Sequence, residues 1–358
     1  MIKPNRLLKT FLELSEIESP SGQEKKIVDW IIAYLKKLGI TAVSDSFGNI
    51  IAKIEGNRGP YFILNAHIDT VQPCRNIKPC IKDGVITSGG DTVLGADDKA
   101  GVAAILEVIS VLKENDIKHC SLEIIFTVQE ETGTIGAQKL NYSLIDAKTG
   151  VTVDGEKTED IILGAPYITN VDILITGKSA HSGVEPEKGI SAIKVACDSI
   201  ARLRLGKIDK ETTANVGIIK GGEIRNSIPA KAEISAEVRS HNISKMNRYV
   251  NKMKKVFELS AKKYKAQYTF NTTITCHGYR FQKGSLLIKK AANSLRNQNL
   301  KPHYIFSGGG SDANVFHANN IKVVNIGTGA RNIHTTNEEI SIENLNKIPL
   351  VLLDMVKI

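Results

Sequence analysis

The sequence predicts an α/β fold with a smaller α+β layer inserted into it. Three short apolar segments, at residues 61–66, 121–129 and 150–153, have the character of buried strands, and an apolar helical stripe runs between the first two at 99–114. Strands that alternate with helices in this way are typical of a parallel sheet. In the middle third of the chain the pattern changes to alternating strands and long helices, which predicts a separate layer.

Length and composition favour two domains and exclude a membrane protein. A chain of 358 residues with 42% hydrophobic content can bury two moderate cores. The longest apolar runs, such as Leu122–Val128, are far shorter than the roughly 18 residues of a membrane helix. The first residues, Met1–Arg6, pass directly into an amphipathic pattern, so we expect no secretory signal and a cytoplasmic protein. The five cysteines are scattered and odd in number, which argues against a disulfide framework.

The chain is basic, with a formal net charge of +9. Its lysines are spread over predicted helical faces such as residues 252–265, and only 5% of the residues are aromatic. A nucleic-acid surface would need aromatic stacking groups among the basic ones. We therefore expect no nucleic-acid partner and interpret the charge as a solvated face with some attraction for anionic substrates.

The N-terminal part predicts scaffold elements. Ser21-Gly22-Gln23-Glu24 matches a capping box ahead of an amphipathic helix that ends near Gly39. Residues 43–54 predict a hairpin that turns at 47–49. The following strand, from Tyr61, leads into the loop that contains His67 and Asp69.

Two adjacent acids, Asp97 and Asp98, stand at the start of the helix at 99–114. An N-cap aspartate is the simplest explanation of such an acid, because a carboxylate there accepts free backbone N–H bonds and meets the positive end of the helix dipole. Acids follow each of the three predicted strands as well, however. Four acidic positions of this kind favour a functional site.

The carboxyl ends of parallel strands line one crevice of an α/β sheet, so we expect His67, Asp97, Glu131 and Asp154 to converge there. Clustered carboxylates destabilise one another unless a cation compensates their charge. One imidazole per ion, combined with carboxylate oxygens, suits zinc, with manganese and cobalt as rivals. The sequence therefore predicts a metal site.

In each of two pairs of nearby residues, we expect one residue to bind metal and the other to have a supporting or catalytic role. Asp69 could hold the His67 imidazole through the nitrogen that does not bind metal. Glu130 and Glu131 directly follow a buried strand, so their side chains diverge, and one can bind metal while the other faces the substrate. A solvated loop would also tolerate two adjacent glutamates.

The middle of the chain predicts an inserted α+β domain at residues 168–279, which leaves 1–167 and 280–358 as the first domain. The return to the first domain is marked by Ser307-Gly308-Gly309-Gly310-Ser311-Asp312. This run lacks the lysine and the spacing of a phosphate-binding loop, so we expect backbone that approaches the site closely. His334, just before the last helix, would supply a second imidazole. The predicted strands of the insertion are 171–176, 214–220, 231–239 and 267–275, and its predicted helices are 189–205 and 244–263.

The ordered motifs resemble those of the dinuclear zinc peptidases that include peptidase T, glutamate carboxypeptidase and the aminoacylases. The resemblance covers nearly the whole chain and is strongest to the peptidase T-like tripeptide aminopeptidases. It implies a catalytic domain with a mixed sheet flanked by helices, and an inserted α+β lid of the dimerisation type. The motifs are His67-x-Asp69, the run Gly95-Ala96-Asp97-Asp98-Lys99-Ala100-Gly101, Glu130-Glu131, Asp154, His334 and the run 177–183.

The resemblance also implies which side chains bind two zinc ions per subunit, for which cobalt or manganese could substitute. His67 and Asp154 would bind one ion, Glu131 and His334 the other, and Asp97 would bridge them. The peptide bond that follows Asp97 would be cis.

The remaining site residues follow from the same resemblance. Asp69 would support His67, Glu130 would be the general acid and base, and the lid residue His181 would stabilise the tetrahedral intermediate. Lid-type Asn and Arg residues contact the substrate in this family, and the candidates here are Asn226, Arg239 and Arg280. Arg239 could equally form a surface ion pair.

These observations lead to a metal-dependent hydrolase of small peptides as the first hypothesis. It would act as a tripeptide or dipeptide aminopeptidase, using a water that bridges two metal ions and Glu130 as the general base. The alternative is an amidohydrolase of the same architecture that deacylates N-acyl amino acids. A non-catalytic binding protein is disfavoured because it would not need both the ligand set and Glu130. Expected partners are a short peptide and a second copy bound through the lid, with no nucleic acid or membrane.

Overall fold

The computed structural model, which describes residues 1–358, divides the chain into two units. The predicted insertion at 168–279 lies within the second unit, which begins at residue 165 and is called the lid below. None of the helices is both long and apolar enough to cross a membrane. The first unit contains residues 1–164, 280–307 and 311–358, and the lid contains residues 165–279 and 308–310.

Helices and strands alternate through both units, and their bounds follow in chain order. Up to the lid they are α1 (Pro4–Glu16), α2 (Lys25–Lys37), β1 (Ala42–Ser44), β2 (Ile50–Ile54), β3 (Phe62–His67), β4 (Pro79–Lys82), β5 (Val85–Ser88), α3 (Ala96–Asn115), β6 (Leu122–Thr127), α4 (Ile135–Lys139), β7 (Thr149–Gly155) and β8 (Asp160–Ala165). The lid contains β9 (Tyr167–Thr176), α5 (Ala192–Ala201), β10 (Gly206–Lys207), β11 (Thr212–Gly221), β12 (Lys231–Ser240), α6 (Ile243–Tyr264) and β13 (Gln267–Cys276). After it come β14 (Tyr279–Arg280), α7 (Leu286–Asn297), β15 (His303–Phe306), α8 (Asp312–Ala318), β16 (Lys322–Gly327), β17 (Ala330–Arg331), β18 (Glu339–Ser341) and α9 (Ile342–Val356).

The first unit is built on a mixed sheet of nine strands. Its centre has the order β6-β3-β7-β16, and these strands are parallel to one another. Antiparallel strands, β2 on one side and β8 on the other, extend this centre. The predicted α/β fold with a mixed sheet flanked by helices is therefore confirmed.

The central strands are buried on both faces. Every residue of β3 and of β6 is buried, as expected for parallel strands that are covered by helices on both sides. Helix α3 packs against β3, α1 and α9, and nearly all of its residues are buried. This packing holds the start of α3 close to the carboxyl ends of the central strands.

A second sheet of the first unit has four strands in the order β17-β18-β5-β4. Its antiparallel pair β17 and β18 encloses the loop at residues 332–338, which contains His334. The sheet thereby fixes both ends of this loop.

The lid is an antiparallel five-stranded sheet with the order β10-β11-β12-β9-β13. Helices α5 and α6 pack on it, and their contact forms an apolar core that includes Val171, Val195, Met253 and Phe257. The whole of the chain's net charge of +9 lies in the lid residues.

Candidate metal centre and active site

The carboxyl ends of three neighbouring parallel strands deliver the predicted site residues to one edge of the central sheet. His67 is the last residue of β3, Asp154 lies at the end of β7, and Glu131 follows β6. These strands are adjacent in the sheet, with β3 between β6 and β7. The strand ends therefore bring together an imidazole and two carboxylates.

Asp97 places its carboxylate between two histidines. Its Oδ1 lies 3.2 Å from Nε2 of His67, and its Oδ2 lies 3.3 Å from Nε2 of His334. The peptide bond between Asp97 and Asp98 is cis, and both residues depart from helical geometry although they lie within the first turn of α3. Asp97 is therefore not an ordinary capping residue.

Each histidine also faces a second carboxylate. Nε2 of His334 lies 3.0 Å from Oε2 of Glu131, and Nε2 of His67 lies 3.9 Å from Oδ1 of Asp154. Two ligand atoms bound to one tetrahedral zinc ion at about 2.0 to 2.1 Å are about 3.3 to 3.4 Å apart. The distances from Asp97 to the two histidines match this value, the His334–Glu131 distance is slightly shorter, and the His67–Asp154 distance is longer.

Electrostatics indicate an excess of negative charge in this cluster. Burial, followed by the charge of Asp154, raises the pKa of Glu130 well above its ordinary value. Burial, followed by the charge of Asp97, does the same to the pKa of Asp154. Hydrogen bonds to Asp97 and Glu131 raise the pKa of His334 to about 10. A bound cation would compensate the carboxylates that the two imidazoles leave unneutralised.

The donor set fits a divalent metal ion. The ligand atoms of His67, Asp97 and Glu131 all lie within 4.8 Å of one another. Oε1 of Glu131 is buried and has no hydrogen-bond partner. A buried carboxylate oxygen normally has a partner, so this atom is available as a metal ligand.

Asp69 contacts the ring nitrogen of His67 that faces away from Asp97. Nδ1 of His67 lies 3.1 Å from the carbonyl oxygen of Asp69 and 3.4 Å from its Oδ1, so this nitrogen has acceptors and Nε2 is left for a metal. The same carboxylate accepts the backbone N–H of Glu130 at 2.9 Å and that of Glu131 at 3.1 Å. Asp69 therefore positions the end of β3 and the end of β6 together.

The predicted capping box at Ser21 and Glu24 is wrong. Helix α2 begins at Lys25, and its N-cap residue Glu24 makes no side-chain capping bond. The Ser21 hydroxyl donates instead to Oδ2 of Asp69 at 2.7 Å, and Oε1 of Glu24 accepts the N–H of Gln129 at 3.1 Å. Ser21 and Glu24 therefore bind the buried Asp69 carboxylate and the Gln129 N–H instead of capping the helix.

Two further residues near the site have no predicted role. Asn325 in β16 accepts the backbone N–H of Asp154 at 3.1 Å through Oδ1 and donates to the Asp154 carbonyl at 3.2 Å through Nδ2. Glu338 accepts backbone N–H bonds from the turn that leads to Asp97. No local sequence pattern marks either residue, because both act on backbone that is distant along the chain.

Within the lid, the predicted residues His181 and Asn226 lie side by side. The N–H of Ser182 donates to the Asn226 carbonyl at 3.0 Å, and the N–H of Ile228 donates to the Ala180 carbonyl at 2.8 Å. His181 is exposed, and its Nδ1 accepts the N–H of Gly183 at 3.2 Å. This backbone pairing places His181, the candidate oxyanion donor, next to Asn226, a candidate substrate-binding residue.

The two candidate arginines have different surroundings. Arg239 forms an ion pair with Glu237 in the same strand and donates from Nη1 to the Gly308 carbonyl at 3.0 Å. Arg280 belongs to the first unit, where its guanidinium lies 4.8 Å from the centre of the Phe306 ring. The ion pair that was the alternative interpretation of Arg239 is therefore present.

Several known proteins are similar to this chain in sequence and fold. The uncharacterized protein YqjE from Bacillus subtilis is 40% identical over 97% of this chain and 96% of its own length. The crystal structure of aminopeptidase PepT from Bacillus cereus has a TM-score of 0.94 and 38% identity, and the match covers 99% of this chain and 98% of that one. A tripeptidase structure from Staphylococcus aureus has a TM-score of 0.96 and 37% identity, covering 100% of this chain and 98% of that one.

The sequence model of Peptidase family M20/M25/M40 matches residues 63–357. This range contains all five predicted metal ligands and the whole lid. The chain belongs to peptidase family M20/M25/M40, and the family assignment made from its motifs is confirmed.

Proposed function

We propose that this protein is a zinc-dependent aminopeptidase that releases the N-terminal residue from tripeptides and dipeptides. The observation that carries the proposal is the carboxylate of Asp97, whose two oxygens face His67 and His334 at 3.2 and 3.3 Å. One carboxylate that faces two imidazoles, each with a second carboxylate nearby, is an arrangement that suits a pair of divalent ions.

In this proposal His67 and Asp154 would hold one ion, Glu131 and His334 would hold the other, and Asp97 would contribute to both. Two divalent ions, when bound, polarise the scissile carbonyl and lower the pKa of water. Zinc fits a site of imidazole nitrogens and carboxylate oxygens, and cobalt or manganese fit the same donors.

Glu130 is the proposed general base and acid. Asp69 accepts its backbone N–H, which holds Glu130 in the loop after β6 while Glu131 faces His334. The Glu130 carboxylate would accept a proton from water as the water oxygen bonds to the peptide carbon. It would return the proton to the nitrogen as the C–N bond breaks.

His181 is the proposed donor to the oxygen that gains negative charge in this reaction. Its neighbour Asn226, together with Arg239 and Arg280, supplies candidate contacts to the substrate carboxylate and backbone. The His181 side chain is exposed, so a substrate can reach its imidazole.

Two observations support a peptide as the substrate rather than an N-acyl amino acid. The solved structures that match this chain at 38% and 37% identity are an aminopeptidase and a tripeptidase. The match to each covers at least 98% of both chains, including the lid. Deacylation of N-acyl amino acids is the alternative function.

We also propose a homodimer formed through the lid and a cytoplasmic location. Strand β13 is one edge strand of the lid sheet, and at the other edge the short strand β10 pairs only with residues 213–214 of β11. Farther along β11, Ile218 and Ile219 are exposed, as is Ile224 just after the strand. An exposed apolar sheet edge is suited to pairing with a second copy. All five cysteines are free thiols, which suits a reducing compartment.

The decisive experiment compares three substrates with the metal-reconstituted protein. A tripeptide, the same tripeptide with an acetylated N-terminus, and an N-acetyl amino acid are assayed with zinc, cobalt or manganese. We expect release of the first residue from the free tripeptide alone. Faster hydrolysis of the N-acetyl amino acid would establish the alternative, and inactivity on all three with every metal would overturn the proposal.

A further inference from the structure

A buried glutamate links the two segments that supply Asp97 and His334. Glu338 is 2% exposed. Its Oε2 accepts the N–H of Leu94 at 2.8 Å and that of Gly95 at 2.7 Å, and its Oε1 accepts the N–H of Asp97 at 2.9 Å. All three donors are backbone groups more than 240 residues away along the chain, so one carboxylate orders the whole turn that presents Asp97.

No other side chain accepts the N–H groups of Leu94, Gly95 and Asp97. The N-cap residue of α3 is Gly95, whose φ of 73° is left-handed, and the nearest side-chain cap within the helix is Asp98, which accepts the N–H of Gly101 at 3.2 Å. A helix start carries unpaired N–H groups and a partial positive charge, and both favour a carboxylate. Glu338 supplies that carboxylate from outside the helix, at the point where the backbone turns to aim Asp97 into the site.

Glu338 also closes the loop that carries His334. Its N–H donates to the Thr335 carbonyl at 3.1 Å, and the Thr335 hydroxyl donates to the Asn332 carbonyl at 2.7 Å. Strand β18 begins at the next residue. The backbone of Glu338 therefore anchors the His334 loop while its side chain anchors the Asp97 turn.

We propose that Glu338 is a positioning residue that sets the distance between Asp97 and His334, and through it the affinity of the metal site formed by Asp97, Glu131 and His334. Nε2 of His334 and Oδ2 of Asp97 are 3.3 Å apart, and no hydrogen bond other than those of Glu338 joins the two backbone segments. The inference rests on the metal centre proposed above and adds a residue outside the ligand set to it.

The test uses Glu338→Gln and Glu338→Asp in the full-length chain. The Gln variant keeps the shape but presents an NH2 group to backbone N–H donors, and the Asp variant keeps the charge but is one methylene too short to reach all three. Glu339→Gln is the matched control, because Glu339 is the next residue, its side chain is 31% exposed, and it lies 3.9 Å from Arg331.

Metal-free protein is titrated with Co²⁺, and both the affinity and the visible absorption spectrum of the bound ion are recorded. Residues that orient metal ligands typically change metal affinity by about 10- to 100-fold when they are replaced. We expect Glu338→Gln to bind one of the two Co²⁺ ions about 10- to 100-fold more weakly than the wild type and to shift the Co²⁺ absorption spectrum. Glu338→Asp should show a smaller loss in the same direction, and Glu339→Gln should match the wild type.

If both Glu338 variants bind Co²⁺ with the affinity and spectrum of the wild type, the inference is overturned, even if their melting temperatures fall. Glu338 would then only stabilise the turn and would not affect the metal site. If Glu338→Gln does not fold, Glu338→Asp decides the question by the same titration. A wild-type protein that binds no Co²⁺ would overturn the metal centre itself, which is a different result from a variant that behaves like the wild type.

Discussion

Oδ1 of Asp69 accepts a hydrogen bond from the backbone N–H of Glu130 at 2.9 Å, across 61 residues of sequence. Oδ2 of the same carboxylate accepts the N–H of Glu131 at 3.1 Å. The two hydrogen bonds hold the backbone of both glutamates at the start of the turn that follows β6, where the Glu130 carbonyl accepts the N–H of Gly133 at 2.9 Å. The Glu131 carboxylate faces His334 at 3.0 Å, so the two chemically identical neighbours can have different partners.

Exchange of each glutamate for glutamine should separate their roles. Glu131→Gln should lose or weaken one metal ion, because the amide oxygen is uncharged and a poorer ligand. Glu130→Gln should keep both ions and still bind substrate but lose nearly all turnover, because an amide cannot accept the proton of the attacking water. Metal analysis and peptide hydrolysis on both purified variants measure this.

The two glutamate variants serve as controls for each other. The assignment would be reversed if Glu130→Gln lost metal while Glu131→Gln remained fully loaded and active.

Removal of metal should destabilise the fold as well as abolish activity. Ions that bind only the folded state add about 2.7 kcal/mol to its stability when their concentration is 100 times the dissociation constant. Chelation should therefore lower the melting temperature, and the same chelator saturated with zinc should not. An unchanged melting temperature after verified metal loss would argue against a shared metal site at Asp97.

His181→Ala should reduce turnover without changing metal content or the melting temperature. Loss of one donor to a developing oxyanion typically costs about 10²- to 10³-fold in rate. Ser182→Ala is the matched control, because Ser182 is exposed on the same lid loop. Wild-type turnover of His181→Ala would remove this histidine from the mechanism.

A histidine away from the metal centre gives a prediction for acid stability. Burial lowers the pKa of His317 to about 4, and its Nε2–H donates to the Val323 carbonyl at 3.0 Å. The unfolded state, with a histidine pKa near 6.5, binds more protons between about pH 4 and 6.5, so the free energy of unfolding falls as the pH drops through this range. The loss is on the order of 3 kcal/mol.

Replacement of His317 by glutamine should remove this contribution. Urea unfolding at several pH values should show the wild type losing stability relative to His317→Gln as the pH falls from 6.5 to 4. A difference between the two proteins that does not change with pH would contradict the assignment.

The sequence was sufficient to predict the family, the α/β class and the convergence of His67, Asp97, Glu131 and Asp154. Each of these residues follows a strand or begins a helix, so a local pattern marks its position, and the rule that parallel strand ends share one edge supplies the contact. His334 does not follow a strand; it is proposed as the second imidazole from its position before the last helix, and its pairing with Glu131 follows from the resemblance to a family.

The sequence could not predict the residues that hold the backbone of the site. Ser21 and Glu24 match a local capping rule, but the buried Asp69 carboxylate and the Gln129 N–H bind them instead. Glu338 looks like any loop glutamate, because its three partners are more than 240 residues away. Contacts of this kind are determined by tertiary structure and leave no periodic trace in the sequence.

The most direct test of the account is the number of metal ions bound per chain by the wild type and by Asp97→Asn. If Asp97 joins two half-sites, the wild type should hold two ions, and Asp97→Asn should hold at most one and show no peptide hydrolysis. Asp91→Asn, an exposed aspartate in the same segment, should behave like the wild type. An Asp97→Asn variant that retains two ions with unchanged affinity would contradict the shared centre.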